Sequence, residues 1–427
     1  MKNDLFQNEE FQPNLTARKF LGSVWQVIFL AATLVGILTL GTLLWTIIDE
    51  SFGVVMMTDT VPRESLSARA GVPLAENTAA ELAQAFQSGV SRGLFRRFNN
   101  EKALETRTQE ELLALLQEHL IKPKVLNSWG LWDSLMDQKS IAEAKTTFEK
   151  DNAEEGLLAV LSFRSWVDGN FLKGGQSSYA LLSGIRPALI GSLLTILVAI
   201  LISFPIGIGS AIYLEEYAKD NRLNRLIQTN IYNLAGVPSI IYGMLGLAMF
   251  VRGLEPLTSG VLFGAVEDPT TANGRTILSA GLTLALLILP VIIINAQEAL
   301  KAIPSSLRFS SYGVGATKWQ TIWHHVLPAS MDRILTGTVF AVSRGIGETA
   351  PLVVVGASTF LTLDPNGLFS KFTTLPIQIY QWTSRPQGEF QHIAAAAILV
   401  LMVLLLGLNS VAIIMRNKIR KQKEAGI

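Results

Sequence analysis

Six stretches of this chain run for twenty or more residues with few or no charges. They extend from Phe20 to Ile48, Pro187 to Leu214, Leu226 to Val251, Thr276 to Gln297, Ile334 to Leu361, and about Ile393 to Met415. A helix needs about 20 apolar residues to cross a hydrocarbon core of ~30 Å. In lipid every backbone polar group must be paired internally, so runs of this length predict an all-α polytopic membrane protein with six transmembrane helices. Composition agrees: 49% of residues are hydrophobic, mean hydropathy is +0.36, and 16% are charged, against roughly 25% in a soluble domain. The first run lies between Arg18-Lys19 and Asp49-Glu50. It is too long for a signal-peptide core and lacks a small-residue cleavage site, so it reads as a retained helix. A net charge of +1 gives no sign of a nucleic-acid partner, and the absence of cysteine excludes disulfides, thiol catalysis and Cys-based zinc sites.

Lys and Arg orient the spans. With a cytoplasmic N-terminus, the inner segments are 1–19, 215–225, 298–333 and 416–427; the basic tail alone holds Arg416, Lys418, Arg420, Lys421 and Lys423. The short outer loops, 252–275 and 362–392, hold only Arg252, Arg275, Lys371 and Arg385. Both termini are therefore expected inside, in a multi-pass protein of the cell membrane.

Residues 49–186 form an extracytoplasmic insertion with 19 acidic and 15 basic residues, long enough to translocate regardless of charge. Apolar spacings of three and four predict helices at Glu81 to Phe98, Glu110 to Ile121 and Ser140 to Leu158, hence a mainly helical domain. Ser128-Trp129-Gly130 and Gly174-Gly175 read as turns. There is no metal-ligand spacing or nucleophile constellation, and His119 is the segment's single histidine. An accessory or docking module is the expectation. The remaining domains are 1–48 with the first helix, a five-helix core over 187–415, and the tail 416–427.

The inner loop 298–333 is neither disordered in composition nor apolar enough to span. Pro304 suits the start of a helix reaching about Tyr312, Gly313 and Gly315 allow a turn, and Thr317 with Gln320 resembles a capping box. Trp319, Ile322, Trp323 and Val326 then form one apolar stripe, and Pro328 marks the helix end. Such a helix-turn-helix either packs beneath its own bundle or docks another protein.

Leu327-Pro328 stand twelve and thirteen positions after Gly315, which resembles the EAA loop of ABC-importer permeases. The acidic residue and two alanines of that loop correspond here to Phe309, Ser310 and Ser311, and its isoleucine to His325. With "SYGVGATKW" at 311–319, "ILTGTVFAVSRGIGETAPL" at 334–352 and "NLAGVPSIIYGMLGLAMFV" at 233–251, the chain resembles the permease subunits of phosphate ABC transporters over roughly residues 180–415. The resemblance implies a type I ABC-importer permease fold. It also implies an ATP-binding partner subunit, as a dimer, docking on Ser310, Ser311, Gly315, Trp319, His325, Leu327 and Pro328. A second, related permease would form a heterodimer with this chain, and an external phosphate-binding protein would deliver cargo. It carries no role over to the insertion.

One span holds charges at its middle. Arg344 and Glu348 lie four residues apart in "AVSRGIGETAPL", so on a helix they can touch. An ionisable group inside a span is costly and by default functional. The pair could pin the span to another helix. The backbone argues for a pathway: Pro351 frees the Gly347 carbonyl beside Gly345 and Gly347, and Pro238 frees that of Leu234 beside Gly236 and Ser239. Two interrupted spans point to a translocation route, with Arg344, Glu348, Ser343, Thr349 and Ser239 along it. A guanidinium suits an oxyanion, and Glu348 would hold it at rest.

Inward movement of an anion against the membrane potential costs about 2.3 kcal/mol per charge per 100 mV. No Gly-x-x-x-x-Gly-Lys-[Ser/Thr] loop is present, so ATP-Mg is expected on the partner and neither cofactor, metal nor catalytic residue on this chain. A permease for another oxyanion, an ion-coupled secondary transporter, and a membrane receptor with a large outer domain stand as alternatives.

Overall fold

The computed structural model describes residues 15–59, 74–101, 103–121, 123–152, 159–264, 273–357, 361 and 364–424. It opens on helix α1, Leu15–Ser51, which runs directly into strand β1, Phe52–Asp59. Strands β2, Pro123–Ser128, and β3, Val160–Ser165, flank β1 on either side. Both pairings are antiparallel, with Val55 opposite Ser128 on one side and Ser162 on the other.

This sheet was not foreseen. Each partner strand lies far along the chain from β1, so no hairpin signal marks it. Helices form most of the rest of the insertion, close to where apolar spacing put them. The expected Glu81–Phe98 helix is two, Ala79–Gly89 and Arg92–Glu101, and Thr78 with Glu81 closes a capping box on the first. The second expected helix is Gln109–Leu116 extended by a wide turn over Gln117–Ile121, and the third is Gln138–Asp151. Its expected end falls outside the described residues. Leu82, Phe86, Leu112 and Leu116 are fully buried and give these helices a core of their own. A separate cluster joins Val55 and Trp166 to Leu375, Trp382 and Ile393, tying the sheet to the C-terminal helices.

Beyond the insertion come α2, Arg186–Ile212; α3, Arg222–Ala235; α4, Ser239–Gly246; and α5, Ile277–Lys301. Then follow α6, Ser305–Gly313; α7, Lys318–Thr321; α8, Leu327–Gly347; α9, Ala350–Val355; α10, Leu375–Thr383; and α11, Glu389–Glu424. Among the described residues, four helices are long and apolar enough to cross a membrane: Arg18–Ser51, Arg186–Tyr217, Ile277–Lys301 and Glu389–Lys418.

The other two expected spans depart from a single rod. The third is a pair, α3 and the segment from Ser239 to Gly253, bent by 107°. Pro238 has no N–H to continue a helix, and α3 itself carries Arg222, Arg225 and several amides. The fifth begins earlier than expected. It holds Asp332, Arg333 and Arg344 and stops at Gly347, so α8, though 21 residues long, is too charged to count as an apolar span.

Helix α5 is central. Its Leu284, Ile288 and Ile292 pack with Ile196 and Ala199 of α2, Tyr242 of α4, Ala341 and Ile346 of α8, and Leu352 of α9. The broken elements are thus gathered around one apolar rod.

Candidate functional site at the broken helices

Gly347 is the last residue of α8. Glu348 follows with φ −76° and ψ 119°, an extended conformation, and its N–H donates to the Gly345 carbonyl at 3.3 Å. Pro351 then lies in the first turn of α9, where a missing N–H costs nothing. Of the two expected forms of interruption, a kink or an opening, the chain takes the second: it leaves the helix at Gly347 and resumes at Ala350, with the proline in the new first turn. Gly356, at φ +104°, ends α9.

Arg344 and Glu348 do meet. The guanidinium Nε lies 3.6 Å from the carboxylate Oε1, and the two side chains are 45% and 19% exposed. The arginine is therefore held at the end of α8 with part of its donor set open. The pair spans a helix terminus, and basic groups are favoured at a helix C-terminus by the backbone dipole. No atom of another element lies within 4 Å of where a Cβ on Gly347 would be, so the break faces open space.

The second break backs onto the first. Pro238 precedes α4 with φ −56° and ψ 137°, and Ser239 opens the helix. The Leu234 carbonyl, expected to be freed by Pro238, accepts from the Val237 N–H at 3.0 Å and from the Tyr242 hydroxyl at 2.6 Å. Tyr242 is buried. One turn on, a Cβ at Gly243 would lie 2.6 Å from the Pro351 Cα. Only glycine allows α4 and α9 to touch backbone to backbone there.

Not every residue assigned to the route joins this cluster. Ser343 donates to Asn409 Oδ1 of α11 at 2.7 Å and lines a cavity of about 330 Å³ with Thr336, Phe340 and Arg416, which does not include Arg344. Adjacent helical residues point about 100° apart, and this places the serine on the neighbouring face. Thr349 precedes α9 and makes no side-chain cap. Gly345 is a packing residue, since a Cβ there would meet Ile288 at 3.0 Å. Tyr242 and Asn409 were missed, because a tyrosine and an asparagine within apolar sequence signal nothing until their partners are known.

The loop 298–333 forms the expected helix-turn-helix. Gly315 takes φ +83° and Thr317 caps α7 with Gln320. Pro328 does not end the second helix. A wide turn over Ile322–Val326 lets the Leu327 N–H reach the Ile322 carbonyl, and α7 runs through it into α8. That register takes up the gap left by the proline, so the loop runs without a break into the helix that carries Arg344. The apolar stripe divides: Ile322 and Val326 are fully buried, whereas Trp319 and Trp323 are half exposed and stack at 5.4 Å. Ser310, Gly315 and His325 are exposed with them. Ser311 is buried, its hydroxyl 2.9 Å from that of Thr321, and Leu327 is buried beneath the loop. Arg308 bonds Glu216 at 2.6 Å, holding the loop to the end of α2. Among the described residues no cluster of three His, Asp or Glu side chains could hold a metal.

Apolar helices around a central rod, two of them interrupted next to an arginine, and a rigid loop bearing exposed tryptophans define a multi-pass membrane permease subunit. Residues 203–421 match the family described as binding-protein-dependent transport system inner membrane component, and the chain belongs to that family. It is 29% identical over 258 residues to the probable ABC transporter permease protein YqgI of Bacillus subtilis (strain 168), covering 57% of this chain and 82% of that protein. It is 33% identical over 257 residues to the phosphate transport system permease protein PstA of Mycobacterium leprae (strain TN), covering 60% and 76%. Among solved structures, an inward-facing MetNI methionine ABC transporter aligns at 16% identity and TM-score 0.39, over 55% of this chain and 94% of that one. The chain is a permease rather than an enzyme, and ATP hydrolysis belongs to a partner subunit.

Proposed function

We propose that this chain passes inorganic phosphate through an ATP-driven importer, with Arg344 as the group that attracts the anion. The observation that carries this reading is the half-exposed guanidinium at a helix break, opposed by one carboxylate at 3.6 Å. Irregular backbone in a membrane is tolerated where it lines a cavity or is buried in protein. A planar, permanently charged donor matches a tetrahedral oxyanion, and Glu348 gives it a resting partner so that binding does not become a trap. Relatives named as phosphate permeases, such as that of Mycobacterium leprae, support the choice of anion.

In this reading both termini are cytoplasmic and residues 49–186 lie outside. An ATP-binding dimer carrying ATP-Mg docks on Trp319, Trp323 and the neighbouring exposed positions. A second, PstC-like permease completes the channel as a heterodimer, and a soluble phosphate-binding protein loads it. Because α7 is continuous with α8, movement at the docking loop is delivered to Arg344 without an intervening hinge.

Phosphate uptake by the reconstituted complex tests it. Arg344→Ala should cut uptake about 10- to 100-fold, the worth of one charge-assisted hydrogen bond, and Arg344→Lys should recover only part. Unimpaired uptake by the alanine variant would end the proposal. Uptake of another oxyanion in preference to phosphate, lost in the same variant, would keep the mechanism and change the cargo.

A further inference from the structure

A second basic site lies apart from the broken helices, where the insertion meets the start of α11. Strand β3 ends near a cavity of about 310 Å³ lined by Arg164, Trp166, Asn170, Lys173, Ser183 and, from α11, Ile393, among others. Its charged lining residues are both cations, and no acidic side chain lines it.

The arginine is fixed in place. Its Nη2 donates to the Leu181 carbonyl at 2.8 Å, and its guanidinium lies over the Trp166 ring at 5.1 Å. Asp168 reaches the guanidinium only at the long distance of 3.9 Å, through Oδ2, while its Oδ1 accepts from the Phe171 N–H at 2.6 Å. The Arg164 Nε is buried without a hydrogen-bond partner. An orphaned buried donor on a charged group is costly, and other parts of the same side chain line the cavity. Burial pulls the Arg164 pKa below its ordinary value while Asp168 pulls it upward, and a guanidinium stays charged at physiological pH. The floor is also built closely: a Cβ on Gly184 would lie 2.3 Å from Gly174, so the turn at Gly174 depends on glycine meeting glycine.

We infer that this cavity binds a phosphate group, with Arg164 as the oriented donor and Lys173 as the outer charge. The phosphate group can come from the free anion or from an anionic phospholipid headgroup at the membrane boundary. Trp166 also stacks on His392 of α11 at 5.5 Å, so occupancy would bear on the helix that packs against α8.

The test uses the full chain purified in the Arg344→Ala background, which removes the pathway site. Labelled inorganic phosphate is titrated by equilibrium dialysis in zwitterionic nanodiscs, and retained anionic phospholipid is counted by native mass spectrometry. Saturable phosphate binding that weakens about 10- to 100-fold in Arg164→Gln supports the site with the free anion as ligand. Anionic lipid retained by the parent and lost in Arg164→Gln supports it with a headgroup as ligand. Lys173→Gln, an exposed change that leaves the fold alone, should weaken whichever ligand binds about two- to fivefold. Absence of both ligands from the parent, or binding indifferent to both variants, overturns the inference. Because Arg344 is already removed, that result leaves the pathway reading standing.

Discussion

Helices α1 and α5 are nearly alike in sequence character, both long and strongly apolar, yet none of the most apolar stretch of α1 is buried within the chain and 67% of that of α5 is. Apolar content earns a place in the membrane and says nothing about whether lipid or protein surrounds the helix. The difference lies in the neighbours. Gly281 of α5 would drive a Cβ to 2.5 Å from Val198, whereas Gly22, Gly36 and Gly41 of α1 have nothing within 4 Å. Lipid tails are as apolar as leucine, so association inside a membrane rests on close packing, and α5 shows the small residues that such packing needs.

Paired substitutions on the two helices would break or sharpen this contrast. The largest effect is expected for Leu284→Ala, which empties a fully packed site, since that side chain is 2% exposed. It should destabilise the chain by about 2–5 kcal/mol in a thermal or denaturant melt in detergent, while Leu38→Ala, at a position 67% exposed, should leave the midpoint unchanged. A matching loss at Leu38 would show that a partner chain covers α1. Next comes Gly281→Ala, whose new methyl collides with Val198; overpacking of this kind costs about 1–3 kcal/mol, against no change for Gly36→Ala. The smallest is Thr283→Val. The buried Thr283 hydroxyl donates to the Ser279 carbonyl at 2.8 Å, and its loss should cost about 1 kcal/mol. Thr39→Val, which removes a like bond to Val35 on the exposed helix, should be silent.

Much of the architecture was legible in local chemistry. Uncharged length located the four apolar helices, Gly315 and Thr317 marked the turn and cap of the docking loop, and the spacing of Arg344 and Glu348 announced a contact that the structure contains. Misreadings fell where a residue's meaning depends on distant partners. The β-sheet went unseen because its strands are joined only through tertiary pairing. Pro328 was taken for a helix end, but a wide turn absorbs it, and proline is tolerated wherever the carbonyl it would abandon finds another role. The tryptophan stripe was taken as one face, yet packing beneath the loop claims Ile322 and Val326 and leaves both indoles outside.

From residues alone came what depends on neighbours along the chain: transfer energies summed over twenty positions, the helix-breaking of Pro238 and Pro351, and the reach of an arginine to a glutamate four places away. Left to the tertiary structure were the facts set by who packs against whom. It buried α5 and exposed α1, turned Ser343 toward Asn409 and away from Arg344, met the orphan carbonyl of Leu234 with Tyr242, and gathered two cations on the cavity beside α11. Periodicity reports a direction from a helix axis, and only the packed molecule supplies what lies in that direction.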